Sequence, residues 1–581
     1  MTDAGKHAPW FILALVGVAA LFRLPGLEYM PPPLNQDEAS RGYDAWCLLE
    51  TGADRHGARW PFFLESFGPG DYTAALTTYL TIPFVAWLGP TATAMRLPDA
   101  LLGVATVLLL YLWLRRQVNE TVALLAAGVL AVDPWHIALC RTAHESGFTP
   151  FFLVLALLAL HRAGLLPAEE RLPPSEAAAR QGRHCSWWGF AAGFALAMHT
   201  WAYPATRLFT PLFCLAILVI QARDYLARWK VRETRTPILA TGLGLVIGAV
   251  PLWWTALTHP EYLAARAHAT LLIYRSSSLF AAAGQFLANY AAQFHPFTSF
   301  GQADEMSGAS IPWVGRHLPI LAPLWLIGLV RMFGGLGRSI RCRLLVAWMV
   351  LYPVPAAICG DWNPHPLRSV AGIAVFPIVA ALGGHWLIDR LTGRSHVVRR
   401  VTAVLVCLAV MVNLVQMSNA YFRQFPASPS ARAAYQTGLY DAMAFAARYE
   451  PAADVVLVTN QANQAYIYAL LLEPIWPQAL AASPPVVSPG PGGFHQVLRA
   501  GRYLFVPQDP LHFPEAGELF QQALEGFLPD ARGLVVDVDR GDRPATHDGA
   551  VLFRSDPGAA QNGAEPVYVV RRWSPRGRGR T

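Results

Sequence analysis

Apolar residues along this chain gather into long runs separated by shorter polar loops, and the runs approach the roughly 20 residues that a membrane-spanning helix needs. Eleven of them predict spans near 9–27, 97–114, 121–139, 148–162, 187–202, 205–222, 237–257, 318–333, 344–359, 369–388 and 401–419. Lys6 and His7 ahead of the first run give it the look of a signal peptide. No small-residue cleavage site follows in "FRLPGLEYMPPP", however, so an uncleaved span is expected. The apolar run from Tyr72 to Leu88 fits a span less well. Pro83 interrupts it and Trp87 suits an interfacial anchor, which predicts one or two helices lying in the outer interface.

From Tyr421 the pattern changes. "DVVLVTN", "RYLFVPQ", "GLVVDVDRG" and "VYVVRRW" are short β-branched runs, and "EAGELFQQALEGFL" reads as a helix between them, so a small α/β domain is expected over 421–581. Within it "ASPPVVSPGPGGF" reads as a loop and "SPRGRGRT" as a disordered basic end. The membrane domain covers 1–420 and carries the long outer loops 28–96 and 258–317. No long internal repeat is present, which counts against transporters built from repeated halves.

Composition agrees with the runs: 14 % of residues are charged and 54 % apolar, where a soluble chain carries about a quarter charged. The net charge of +7 and the isoelectric point near 9.1 would suit a nucleic-acid partner. The basic residues, however, fall in every second loop: Arg115 and Arg116, Arg162 through Arg183, "RDYLARWKVRETR", "RSIRCR" and "DRLTGRSHVVRR". That is a topology signal, and it makes those loops and the N-terminus cytoplasmic. No nucleic-acid partner is expected. Counting 72–88 as a span would put every later basic loop outside. The opposite face then holds 28–96, 140–147, the region around 203, 258–317, 360–368 and everything after about 420. The seven cysteines are scattered without metal spacing and read as buried small hydrophobes.

Asp37 and Glu38 stand where the chain leaves the first span, at the start of "DEASRGYDAWCLLETG". A carboxylate at that depth reaches both membrane lipids and outer solutes, which suits a general base; acids also simply favour helix N-termini. Arg96, Arg141, Arg207, Arg266, Arg275 and Arg368 sit at or near outer span ends. Such a guanidinium snorkels or finds an anion, either a local acid such as Asp99, Glu145 or Asp361, or a phosphate that matches its planar fork. His144, His295 and His365 lie in outer loops without metal-site spacing and read as ordinary loop histidines. Asp537 and Asp539 have a spacing that some nucleotide-sugar enzymes use for a metal, and a strand end accounts for it equally. Phosphate-binding, nucleophile-elbow and zinc motifs are absent from the sequence. Outer-loop aromatics such as Trp60, Tyr203 and Trp362 fit an interface belt and sugar stacking alike.

The order of the acid pair after the first span, "RLPDALLG", "CRTAHESGFTPFFL", "WAYPATRLFTPL", "PHPLRS" and "YFRQFP" resembles bacterial GT-C glycosyltransferases over about 1–425. Nearest are the protein-O-mannosyltransferase-like proteins of glycosyltransferase family 39, with lipid A aminoarabinose transferases as cousins. The resemblance implies a polytopic helical GT-C membrane domain with an outer α/β domain, set in a bacterial inner membrane. It also implies an enzyme that moves a hexose or pentose from a polyprenyl-phosphate donor to a lipid, glycan or protein acceptor on the outer face. In such families the first-loop acid is the base, which maps onto Asp37 with Glu38 beside it. Arginines at outer span ends hold the lipid phosphate, which points to Arg96, Arg207 and Arg368, and beyond these to Arg141, Arg266 and Arg275. Glu145 and His365 complete the expected substrate contacts. Two departures stand out. The β-trefoil domain of eukaryotic protein mannosyltransferases is absent, and so is the W-W-D signature of oligosaccharyltransferases, since Gly189 and Thr255 follow the paired tryptophans.

Such a reaction makes chemical sense outside the cell. No nucleotide sugar is present there, so the activated bond must arrive on a lipid whose phosphate is both handle and leaving group. Asp37 would take the acceptor hydroxyl proton during in-line, inverting attack, and arginines would stabilise the departing phosphate. No cofactor is required, although a divalent metal remains compatible. The rival expectations are a transporter or lipid flippase, and a non-catalytic scaffold.

Overall fold

A computed structural model of the chain describes residues 4–68, 70–166, 184–301, 311, 313–449, 453–459, 464–473, 475–489, 495–506, 533–538, 551–555 and 567–573. Several expectations lie outside these residues: the helix in "EAGELFQQALEGFL", the basic end "SPRGRGRT", Asp539 and most of the Arg162–Arg183 loop. The side chains of Arg266 and Asp537 are also outside the described set. Two compact units are present. One joins Met1–Leu27 to Arg96–Arg423, and the other joins Glu28–Met95 to Gln424–Thr581.

In the first unit each of the eleven expected spans falls on a helix or a bent pair of helices. By length and composition fewer than eleven would cross a membrane. Four helices suffice alone: Ala92–Gln117, Ile340–Ala357, Val370–Thr392 and His396–Ala427. Three pairs suffice together, Glu120–Ala131 with Pro134–Cys140 (57°), Thr206–Ile220 with Ala222–Trp229 (75°) and Thr234–Gly248 with Val250–Thr258 (46°), for up to seven among the described residues. The remainder include shorter helices. Thr149–Arg162 has 14 residues, which at 1.5 Å per residue falls short of a hydrocarbon core about 30 Å thick.

The first break has a local cause. Pro134 cannot donate a backbone hydrogen bond, and the Asp133 carboxylate accepts from the His136 N–H at 3.0 Å, so a new helix starts there. Close backbone approach then fixes neighbouring helices. A Cβ on Gly193 would overlap Thr241 O, and one on Gly244 would overlap Phe190 O, so His184–Ala202 and Arg232–Gly248 meet through small residues. By contrast, Val404, Leu405, Leu408, Met411 and Val415 of the His396–Asn419 helix are all more than half exposed, a surface suited to hydrocarbon.

The second unit holds the Gln36–Thr51 helix, a hairpin of β1 (Phe63–Glu65) and β2 (Tyr72–Ala74), the Leu76–Leu88 helix and a seven-stranded sheet. Its strands are β3 (Val455–Val458), β4 (Val486–Pro489), β5 (His495–Ala500), β6 (Tyr503–Phe505), β7 (Gly533–Val538), β8 (Val551–Arg554) and β9 (Tyr568–Trp573), in the order β4-β5-β6-β3-β7-β9-β8. β3 runs parallel to β6 and β7, and the other pairs are antiparallel. All four residues of β3 are buried, as a central parallel strand requires.

Three sequence expectations change here. "ASPPVVSPGPGGF" is not wholly loop, because Val486–Pro489 forms edge strand β4, where a terminal proline costs no ladder bond. The Tyr72–Leu88 run is not helical throughout, since Tyr72–Ala74 pairs with β1. Pro83 does not interrupt the rest of the run, because it lies inside the Leu76–Leu88 helix. The first outer loop, grouped by sequence with the membrane part, packs with the tail. Tyr43 donates to Ile475 O at 2.6 Å, Trp46 meets Trp476 with ring centroids 5.4 Å apart, and Phe67 meets Tyr466 at 6.4 Å. The apolar face of Gln36–Thr51 is buried by these contacts, which is why the segment belongs to this unit.

Candidate functional site

The Gln36–Thr51 helix starts with a complete capping box. Asn35 Oδ1 accepts from the Glu38 N–H at 2.9 Å, and Glu38 Oε2 accepts from the Asn35 N–H at 3.1 Å. Glu38 is 1 % exposed and works within its own helix end, whereas Asp37, one residue earlier in the first turn, is half-buried. Two turns on, Asp44 pairs with Arg55 at 2.6 Å, both fully buried. Arg55 also donates to Ser40 Oγ at 2.6 Å and to Ser66 O, and lies over the Phe67 ring. That guanidinium ties the acid-bearing helix to the β1–β2 hairpin.

Three arginines of the membrane unit meet backbone carbonyls. Arg23 donates to Ala131 O at 2.8 Å and Leu130 O at 2.9 Å, in the last turn of Glu120–Ala131 where the chain breaks before Pro134. Arg96 donates to Leu27 O at 3.0 Å. Arg141 donates to Pro25 O at 2.8 Å and Phe22 O at 3.3 Å, and lies over the Phe422 ring. All three are 0 % exposed. They take up carbonyls at and just beyond the last turns of helices. In "RLPDALLG" Asp99 and Gly103 pack closely: a Cβ on Gly103 would overlap Cys140, and one on Gly147 would overlap Asp99.

A second group gathers Glu145, Arg207, Tyr203, Asp361, His365, Arg368 and Arg316. Glu145 opens the short Glu145–Phe148 turn, is 4 % exposed, and is electrostatically coupled to Arg207 in the first turn of Thr206–Ile220. His144 packs on Tyr203 with centroids 5.8 Å apart, and Tyr203 in turn lies within electrostatic reach of Arg368. Arg368 grips Asp361 with both arms of its fork, one at 2.6 Å. Burial alone would raise the Asp361 carboxyl, but the Arg368 hydrogen bonds outweigh it and leave the group below its ordinary range. His365 is neutral: burial, then Arg368, push its imidazole down to about 3. Its buried Nδ1 has no hydrogen-bond partner among the described residues.

Arg316 and His317 are functional candidates that the sequence reading passed over. Arg316 is 4 % exposed, donates to Gln293 Oε1 and Ser369 Oγ at 3.3 Å each, and lies 4.9 Å over the Trp135 ring. His317 bonds Asp133 at 2.6 Å and stacks on Phe376. A usable signal was present, because Arg316 stands two residues ahead of the 318–333 run, much as Arg96 stands directly ahead of its own. Arg275 is exposed. Among the described residues no three His, Cys, Asp or Glu side chains gather as a metal set. Chemically, three guanidiniums set among two carboxylates, a neutral imidazole and a tyrosine suit a polyanionic, hydroxyl-rich ligand.

Residues 72–172 match the family model described as dolichyl-phosphate-mannose-protein mannosyltransferase. The putative mannosyltransferase YkcB of Bacillus subtilis (strain 168) is 40 % identical over 67 residues, which is 12 % of this chain and 9 % of that protein, so the match spans less than a tenth of the curated relative. Among solved structures, ArnT from Cupriavidus metallidurans bound to undecaprenyl phosphate is similar with a TM-score of 0.54 at 14 % identity. Its apo form gives 0.54 at 12 %, and in both cases 98 % of each chain is covered. At such identity the likeness is one of fold, and with the family segment it bears out the GT-C resemblance.

Proposed function

We propose that this chain is a membrane glycosyltransferase that moves a monosaccharide from a polyprenyl-phosphate donor to an acceptor hydroxyl on the outer face, with inversion. The observation that carries the proposal is the gathering of Arg207, Arg316 and Arg368 with Glu145 and neutral His365 in a chain of ArnT-like fold. Asp37 is the base. Of the acid pair it is the member not committed to the capping box. Arg207, Arg316 and Arg368 receive the lipid phosphate, and the orphaned Nδ1 of His365 suits a donor hydroxyl. Arg96 and Arg141 leave the set suggested by the resemblance, because both are sealed off and hold backbone carbonyls of the first helix end.

In the reaction an acceptor oxygen lone pair forms the bond to the anomeric carbon while the bond from that carbon to the phosphate oxygen breaks. The electron pair departs with the phosphate, whose growing charge the guanidiniums stabilise, and the acceptor proton passes to the Asp37 carboxylate. A lipid transporter is the second reading, and the three bent helix pairs favour it, since broken helices recur in transporters. The test is release of free polyprenyl phosphate from a panel of polyprenyl-phosphate monosaccharides by purified protein in lipid with crude envelope as acceptor, wild type against Asp37→Asn. Release with one sugar that depends on Asp37 supports the transferase. No release from any donor, with lipid flux in a vesicle assay, replaces it by the transporter.

A further inference from the structure

Arg162 closes the helix that Thr149 opens beside Glu145, and Arg116 stands near the end of the helix that carries Arg96 at its start. These two residues therefore mark the end of the membrane unit remote from the Glu145–Arg368 group. Arg341, in the first turn of Ile340–Leu351, joins them. All three surround His161, whose Nδ1 bonds Gln117 Oε1 at 2.6 Å. Arg162 is also coupled to Arg115 and lies over the Trp188 ring at 5.5 Å. An acid close by, Glu120, is shared between Arg115 at 3.8 Å and the Tyr111 hydroxyl. Arg162 and Arg341 are half-buried and Arg116 is exposed, so like charges stand together at this end, an arrangement that a bound anion would relieve.

Beside this group a cavity opens whose wall is almost wholly hydrocarbon: Trp113, Leu157, Phe213 and Leu345, with Gln117 and Arg341 at its polar margin. The positive-inside rule accounts for arginines in a loop, but not for a hydrocarbon slot that has a guanidinium in its own wall. A molecule matching both features has an anionic head joined to an alkyl chain. We propose that this end of the membrane unit binds an anionic phospholipid, with its phosphate on Arg116, Arg162 and Arg341 and one acyl chain in the Trp113–Leu345 cavity. The site is separate from the group assigned to sugar transfer, and it stands whether or not that transfer is confirmed.

The test places the full chain in phosphatidylcholine nanodiscs doped with a few per cent of chain-spin-labelled phosphatidylglycerol or, in parallel, equally labelled phosphatidylcholine. The immobilised signal is then compared. A motionally restricted fraction is expected that favours phosphatidylglycerol. It should fall about tenfold in apparent affinity in Arg162→Gln/Arg341→Gln and be largely restored in Arg162→Lys/Arg341→Lys. Equal immobilisation of both lipids in the wild-type protein would overturn the proposal without reference to any variant. So would an undiminished phosphatidylglycerol preference in the glutamine pair. Binding of inorganic phosphate alone to delipidated protein in detergent, with no preference between the two labelled lipids, would reassign the arginines to a soluble anion.

Discussion

Glu38 and Asn35 close a reciprocal pair of hydrogen bonds, 2.9 Å and 3.1 Å long, across the first turn of the Gln36–Thr51 helix. The pair divides the adjacent acids by task and makes the division measurable. Glu38→Gln keeps the capping geometry, because glutamine serves the same position, and should leave turnover within about threefold. Glu38→Ala should cost roughly 1 kcal/mol of stability. Asp37→Asn should leave melting unchanged and reduce sugar transfer at least about a hundredfold. Equal losses from Asp37→Asn and Glu38→Gln would sink the assignment of Asp37 as base.

Arg368 holds Asp361 with both arms of its guanidinium, a geometry that lysine cannot copy. Arg368→Lys should therefore weaken donor binding by about tenfold, raising donor KM more than it lowers kcat. Arg316→Gln, which removes the cation beside Ser369, should do the same. Arg96→Gln should act differently and lower thermal stability, since its bond goes to Leu27 O. Donor titrations on all three variants separate these outcomes, and unchanged donor affinity in Arg368→Lys and Arg316→Gln would remove the proposed phosphate site.

Much of the membrane unit was legible because apolar runs report helices directly, and each expected span found one. What periodicity cannot report is where a run breaks. Asp133 and Pro134 inside the 121–139 run have the spacing of a cap and a helix start, which the reading of that run as one span passed over. The partner that makes the break tolerable, Arg23, lies more than a hundred residues away in sequence. By itself Arg23 looks like a snorkelling residue at the end of a span. The division between Asp37 and Glu38 was also written locally, as Asn35-x-x-Glu38, a capping-box spacing passed over in favour of the acids' position. Strand β4 was hidden by its prolines, and the packing of the first loop on the tail rests on Tyr43, Trp46 and Phe67, whose partners no local pattern names.

His365 gives the site a pH signature. Its folded-state pKa is lowered to about 3 by burial first and by Arg368 second, while an unfolded histidine titrates near 6.5. Between those values the unfolded chain binds the extra proton, so stability is fully present above about pH 6.5 and declines as pH falls toward 3. The limb is worth on the order of 2 kcal/mol once the part of the ring that solvent still reaches is allowed for. His365→Gln has no proton to gain and should flatten melting temperature against pH over this window. An acid limb of undiminished steepness in the variant would place the titration elsewhere.

The Gln36–Thr51 helix rests on the tail, and the tail is expected to support it. Tyr43 hydrogen-bonds Ile475 O, Trp46 packs on Trp476 and Gln36 accepts from Gln436, so the helix bearing Asp37 takes much of its burial from residues beyond 424. A chain ending at 423 should keep its membrane helices and leave residues 28–95 open to protease, with sugar transfer lost. Trp476→Ala should produce a graded version. It forfeits part of an aromatic contact worth about 1 kcal/mol beyond its buried area, and proteolysis within 28–95 should quicken correspondingly. Tyr43→Phe removes one hydrogen bond worth about 1 kcal/mol and should lie between wild type and Trp476→Ala. If the truncated chain instead protects 28–95 as well as the full chain does, the loop is held by something other than the tail. The tail would then have to act through substrate, which acceptor binding to the truncated chain would reveal.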